Sequence, residues 1–406
     1  MVSKYDLLYS VFLNEGLTAT QLVRKIGKTP HDYDTVLKHL LQLREEKLVE
    51  TKKNQYYLSQ KEETKKLLRI IDYCFRNKIN YNELFLDKTI DFIKAGLETR
   101  DFSELGLNNR TRARISLFLS KHGFMLIESK KPFKAKMVYS DFLKKVVEIF
   151  NGKVEVKCGK IYEQADKKEI DSQIEKEFSK YKKSEKQVNP DDEVRFIHRS
   201  LSLEGNTMTL SETERLIKEN IPPKARTFLE MQETVDYKKA LDYLIERREL
   251  NFETTLKFHS IAMNSLKAGA GEFRKQNVKI KGNPDFKTAD WRQVPKLLEE
   301  LFGQYQNKIH EKMKAHESVE LSAYLHSEFQ RIHPFIDGNS RAARAIFIHA
   351  LLLKEFPLIN FPMGFVEQYM ELTKLSKKRD DEKFTVFMKQ LVLHSLKQTN
   401  QKIKYL

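Results

Sequence analysis

His333, Asp337, Gly338, Asn339, Arg341 and Arg344 stand within a single run of twelve residues, HPFIDGNSRAAR. Histidine is the side chain whose ordinary pKa suits taking a proton near neutrality. An aspartate beside it is a hard oxygen ligand, suited to a phosphate-bound Mg²⁺. Gly338 and Asn339 are the residue types that most readily take the strained backbone of an anion-cradling loop. Two arginines three apart project from neighbouring positions of one helical turn, where they can clamp phosphate oxygens. The combination points to a nucleotide-phosphate site equipped with a general base.

Such a site needs rigid elements on both sides. LSAYLHSEFQRI reads as a helix that ends at His333, and RAARAIFIHALLL as an apolar-periodic helix that begins directly behind the loop. The second helix would aim its free N–H groups and positive dipole end at whatever the loop holds. Upstream, HRSLSLEGNTMTLSETERLI puts Glu204 at the end of a short helical run, with Gly205-Asn206 as a left-handed stop. Between these stretches, NVKIKG alternates apolar and polar residues, with Val278 and Ile280 on one face of a short half-exposed strand.

These residues resemble a known family. HPFIDGNSRAAR is similar to the signature of the Fic proteins, HxFx(D/E)GN(G/K)RxxR, and departs from it at Ser340, where the family usually has Gly or Lys. The resemblance implies a mainly α fold: a helical Fic domain with a small β-hairpin flap. It implies transfer of AMP from ATP to a Ser, Thr or Tyr hydroxyl of a target protein, the chain itself included, with pyrophosphate leaving. Carried over by residue, His333 would be the catalytic base, Phe335 would anchor the loop, and Asp337 would hold Mg²⁺. Gly338, Asn339, Ser340 and Arg341 would bind the nucleotide phosphates, and Arg344 the γ-phosphate. Ser200, Glu204 and Gly205 resemble the family's inhibitory motif, (S/T)xxxE(G/N), which implies a Glu204–Arg344 pair and an enzyme that rests autoinhibited. Gly271, Phe273 and Arg274 match the element preceding the family's flap, so Val278 and Ile280 would dock the target's main chain. Tyr369 falls where the family often sets an aromatic against adenine, although the asparagine that usually follows is missing around Leu375, Ser376 and Lys377. The same resemblance admits alternatives in one site: removal of AMP, or transfer of another nucleotidyl or phosphate-containing group.

At 406 residues the chain suggests two to four domains. No apolar run approaches the ~20 residues that cross a bilayer, so no membrane is expected. Cys74 and Cys158 lack metal spacing and fit a reducing, cytoplasmic setting. The net charge is +16, and most of it lies before residue 190, outside the motif-bearing half. There, Tyr5 to Asn14, a segment capped by Thr18 or Thr20, a helix from near Pro30 and two short strands around Lys53-Asn54 follow the winged-helix (α+β) order. Leu37, Leu40, Leu41 and Leu48 supply its apolar stripe. His31, Asp32, Tyr33, Lys38, Arg44, Lys52 and Lys53 are the residues free to meet duplex DNA.

Leu86 to Tyr139 reads as a second copy, with a short middle helix, Arg110, Arg112 and Arg114 at the start of its recognition-like helix, and the basic loop KKPFKAK. The expected organisation is a winged helix at 1–60, a connecting helix at 61–85, and a second winged-helix domain at 86–150. A charged linker at 151–189, closing on an Asn189-Pro190 turn, would lead to a Fic-like catalytic domain at 190–406 with its inhibitory helix near 196–206. A DNA-binding regulator with a Fic-like sensor domain is the rival from another class. No motif speaks to oligomeric state, a homo-oligomer included.

Overall fold

The structure is a computed structural model that describes residues 2–98, 102, 105–130, 133–163, 166–183, 190–266, 269–280, 283–374, 376 and 378–403. It is mainly helical and divides into two compact units, Met1–Ile115 with Ser140–Cys158, and Ser116–Tyr139 with Gly159–Leu406.

In the first unit, Ser3 and Asp6 form a capping box that starts the Lys4–Leu13 helix, and Thr18 with Gln21 does the same for Ala19–Lys25. Pro30–Asp32 is a 3₁₀ turn leading into the Tyr33–Glu45 helix. That helix buries Val36, Leu40 and Leu43, so the apolar stripe is rotated from the expected one and Leu41 points outward. β1 (Leu17–Thr18), β2 (Val49–Lys52) and β3 (Gln55–Leu58) form an antiparallel sheet in the order β1-β3-β2. Lys53 and Asn54 both have positive φ, 50° and 63°, as a two-residue hairpin turn requires. Glu62–Arg76 buries Leu67, Leu68, Ile70 and Ile71, and its Tyr73 ring lies 4.6 Å from that of Phe142 in the Asp141–Asn151 helix. Residues 140–158 thus return to the first unit. Arg114 is ion-paired to Glu83 at 3.1 Å, which occupies one of the three arginines read at the start of the recognition-like helix.

The second unit corrects two boundaries. β4 (Met125–Lys130) and β5 (Phe133–Met137) pair in it through a bulge at Ile127/Ser129, so residues 86–150 are not one body. Phe124, Met125, Met137 and Val138 are buried. Backbone seals the fit: Gly364 N donates to His122 O at 3.0 Å, and a Cβ on Gly123 would meet Pro362 at 2.7 Å. The short helix expected before Asn109 falls largely on residues 99–101 and 103–104, outside the described ones, as do Lys131 and Pro132 of the basic loop.

The charged stretch read as a linker contains a packed helix, Lys167–Lys182, capped by Asp166. Ile170, Ile174 and Tyr181 are buried, the Phe178 ring stacks on Phe356 at 4.2 Å, and Asp171 takes Lys389 at 2.6 Å. An i, i+4 apolar stripe hidden among lysines and glutamates explains why composition read as linker. Asn189, part of the expected boundary turn, lies outside the described residues. At the centre, Asn339–Leu353 is buried almost all round and packs on Ala315–Ile332, Phe228–Ile245 and Phe252–Ala262. Among the described residues, no helix is long and apolar enough to cross a membrane.

Candidate active site

His333 ends the Ala315–Ile332 helix with φ 51°, ψ 61°, a left-handed conformation that non-glycine residues adopt at a cost. The surroundings hold it there. Its N–H donates to Phe329 O at 2.9 Å, and its own carbonyl accepts from Arg274 Nε at 2.7 Å. Arg274 is buried and also donates to the carbonyls of Gln276, Ala289 and Ile332, while its N–H reaches Pro334 O. One arginine therefore nails down both flanks of the histidine. Burial pushes the His333 imidazole down to about 4, so the ring is neutral near neutrality and able to accept a proton. Its Nδ1 faces Gln330 O at 3.4 Å, which leaves Nε2 as the accepting nitrogen.

Phe335 is fully buried and stacked on His259, ring centroids 3.5 Å apart. Asn339 closes the loop on itself: its Nδ2 donates to Phe335 O at 2.8 Å and its Oδ1 accepts from Phe335 N at 2.9 Å. His259 was not singled out from sequence, yet it braces the loop from below. Gly271 N–H donates to its Nδ1 at 2.9 Å, so Nε2 carries the proton and donates to Asp337 O at 2.9 Å. Gly338 is the left-handed N-cap of the Asn339–Leu353 helix, φ 80°. A Cβ there would lie 2.8 Å from Met263 Sδ and 3.0 Å from His259 Nε2. Gly338→Ala is accordingly expected to lower stability by about 1–2 kcal/mol for the left-handed backbone alone, with the loop displaced. Denaturant unfolding and nucleotide titration of the same variant check it.

A cleft of about 380 Å³ opens over this loop, within the ~300–1,000 Å³ range of small-molecule sites. His333, Asp337, Gly338, Asn339 and Ser340 line one side, and Leu372, Thr373 and Lys374 another. Val278 and Ile280 also line it and are half-buried, with Lys279 exposed between them. The expected strand is not formed among the described residues; a single antiparallel bridge, Ile280 to Asn283, is all the pairing present. Tyr369 departs further from expectation. It is 1% exposed, bonds His326 Nε2 at 3.0 Å, and does not line the cleft. It supports the wall from behind, and Leu375 and Lys377 beyond it lie outside the described residues.

Neither signature arginine faces the cleft directly. Arg341 is buried; its Nη1 pairs with Glu233, whose other oxygen takes Asn206 Nδ2 at 2.8 Å, and its Nη2 reaches Asp337 Oδ1 only at 3.4 Å. Arg344, 1% exposed, gives Nε to Ser200 Oγ at 2.9 Å and Nη2 both to Ser200 O at 2.8 Å and to Glu204 Oε1 at 2.9 Å. Ser200 Oγ is within 2.9 Å of Tyr237 OH, which donates to Arg341 O at 3.2 Å. The Pro190–Ser202 helix ends two residues before Glu204, and Gly205, φ 102°, turns the chain away.

Glu204 is therefore the group that stands between Arg344 and the cleft. Burial opposes its charge, but Arg344 and Lys374 outweigh burial and hold its carboxyl below the usual range. Lys374, at 3.2 Å from Glu204 Oε2, is a partner that the motif reading did not supply. Glu233 was missed as well, because nothing local in FLEMQETVDYKKAL distinguishes it from a surface glutamate.

Residues 249–351 match the Fic/DOC family model. Curated proteins named protein adenylyltransferase Fic, from Drosophila persimilis and Drosophila willistoni, are 27% identical over 197 residues and 26% over 198. Each alignment covers 47% of this chain and 38% of the relative, so the chain spans well under half the length of the curated relatives it matches. Among solved structures, Fic-1 (residues 134–508) from C. elegans superposes with a TM-score of 0.53 at 16% identity, over 59% of this chain and 73% of that one. A Fic domain containing signaling protein from Bacteroides thetaiotaomicron VPI-5482 gives 0.50 at 20% identity, over 57% and 98%. At these identities the structural likeness speaks to the fold.

Proposed function

We propose that this chain, which carries a Fic domain, is a protein adenylyltransferase that rests switched off. The observation that carries the reading is the Glu204 carboxylate, seated at the edge of the cleft on Arg344, the sixth residue of the helix that starts at the phosphate loop. In the working state Arg344 would be free to hold the γ-phosphate of ATP, with Gly338, Asn339 and Ser340 at the helix N-terminus around the other phosphates. Arg341 would complete the cradle, held at its angle by Glu233. The acceptor oxygen attacks the α-phosphorus, the bond from that phosphorus to the β-bridging oxygen breaks, and pyrophosphate leaves with the electron pair. The hydroxyl proton goes to His333 Nε2.

Asp337 fits a cation: its carboxylate is half-exposed and lines the cleft. Among the described residues, no cluster of three or more His, Cys, Asp or Glu could hold a metal unaided. Mg²⁺, if bound, would rest on Asp337 and on substrate phosphates, where it would neutralise their charge. Val278 and Ile280 are the segment we assign to the acceptor's main chain.

Because burial holds His333 at about 4 instead of 6.5, the base form persists on acidification. Transfer by an activated variant is expected to stay flat from pH 8 down through 6.5 and to fall only below about pH 5. A fall centred at 6.5 would mean that His333 titrates as an exposed imidazole. Separate incubations with labelled ATP, GTP, CTP and UTP, and with an AMP-modified protein, test the reaction class. Label gained from ATP supports this reading, and AMP released instead would favour removal.

We further assign residues 1–60, within the first unit, as a winged helix; the sheet order β1-β3-β2 and the exposed Lys38, Arg44, Lys52 and Lys53 support that assignment. Duplex DNA binding should then weaken by ~10³ or more between 50 and 200 mM salt if six or more phosphates are contacted. Since the unit includes residues 140–158, cutting the chain at residue 150 would damage it. Lys52→Glu with Lys53→Glu is the cleaner variant, read by titration with labelled duplex. Salt-independent binding, or none, would point to protein partners.

A further inference from the structure

Glu204 is held by two cations, and only one of them belongs to the signature. Oε1 takes Arg344 at 2.9 Å, and Oε2 takes the Lys374 ammonium at 3.2 Å. Lys374 follows the Met363–Leu372 helix, lines the cleft with Leu372 and Thr373, and keeps a third of its side chain exposed. Its backbone is not left to chance. Asn283, 4% exposed, donates Nδ2 to Lys374 O at 3.1 Å and to Ser376 O at 2.6 Å, which fixes the place from which the ammonium reaches.

A carboxylate bridging a guanidinium and an ammonium occupies a position built for a group with at least two anionic oxygens. The planar fork of Arg344 suits one edge of such a group, and the compact charge of Lys374 suits another oxygen. We propose that Lys374 is the second cationic contact of the terminal phosphate, so that the guanidinium–ammonium pair selects nucleoside triphosphates over diphosphates. Glu204 then mimics that phosphate at both contacts, and its departure frees two charges together. This assignment rests on the nucleotide reading of the cleft.

The test is equilibrium binding of ATP and of ADP, each with Mg²⁺, to full-length Glu204→Gly with and without Lys374→Met. Methionine keeps most of the side-chain bulk and removes the charge. ATP binding is expected to weaken ~10-fold, the scale of one charge-assisted contact, while ADP binding shifts less than about 2-fold. Lys374→Arg should recover most of the preference for ATP. Equal weakening for ATP and ADP, or none for either, would overturn this assignment alone. Failure of Glu204→Gly with Lys374 intact to bind either nucleotide would overturn the nucleotide reading, and this assignment with it.

Discussion

Replacing His333 with alanine in a Glu204→Gly background should lower AMP transfer ~10²–10⁴-fold, the range of a positioned general base, with ATP affinity changed less than about 3-fold. The separation follows from what the imidazole touches. Its side chain is directed at Gln330 O, whereas the loop's own integrity rests on Asn339, His259 and the backbone contacts of Arg274. Position 333 has φ 51°, and histidine already bears the left-handed backbone cost of about 1–2 kcal/mol that alanine would bear there. His333→Asn is the companion variant, since asparagine tolerates this region better. Both should lose transfer and retain ATP in a titration. Parallel loss of affinity and rate would make His333 a binding residue.

The second large effect concerns the switch. Glu204→Gly removes a carboxylate bound to two cations at the cleft, and transfer should rise on the order of 10- to 100-fold, as expected for a charge-assisted contact of ~1.5–3 kcal/mol. Arg344→Ala in the same chain should erase the gain, because under the proposed switch the freed guanidinium is what activates. The two substitutions should be strongly non-additive in a double-mutant cycle. Arg344 also donates twice to Ser200, so Arg344→Ala alone leaves Ser200 Oγ and its carbonyl short of a donor and should cost stability as well. Thermal unfolding of each variant separates that cost from the kinetic one. Additive effects would mean that the two residues act through different routes.

What the sequence made legible was local. The loop from His333 to Arg344 reads from twelve consecutive residues because its turn chemistry, helix start and charges are all contiguous. Glu204 at the end of a short helical run reads from its own residues, whereas the Ser200–Glu204 motif and its partner Arg344 came from the family resemblance. What stayed hidden depends on packing between segments far apart in the chain. Glu233 meets Arg341 across 108 positions, and Asn283 holds Lys374 across 91. His259 takes its role from Gly271 and Asp337, neither of which gives it a local signature. The β4–β5 hairpin follows a recognition-like helix in sequence, but Gly123, just ahead of β4, sits close against Pro362 and Phe365. Tyr369 shows the opposite error: an aromatic at a suggestive position was taken for a surface over the base, and a buried hydrogen bond to His326 accounts for it instead.

The most direct test of restrained AMP transfer compares wild type and Glu204→Gly side by side, each incubated with Mg²⁺ and either α-labelled or γ-labelled ATP in the presence of cell extract as acceptor. Protein-bound label is then counted after denaturation. The account predicts that label from the α position becomes covalently attached to protein with Glu204→Gly and far less with wild type, and that label from the γ position stays with released pyrophosphate. Equal α-label incorporation by both proteins would contradict the restraint, and retained γ-label would contradict AMP transfer itself.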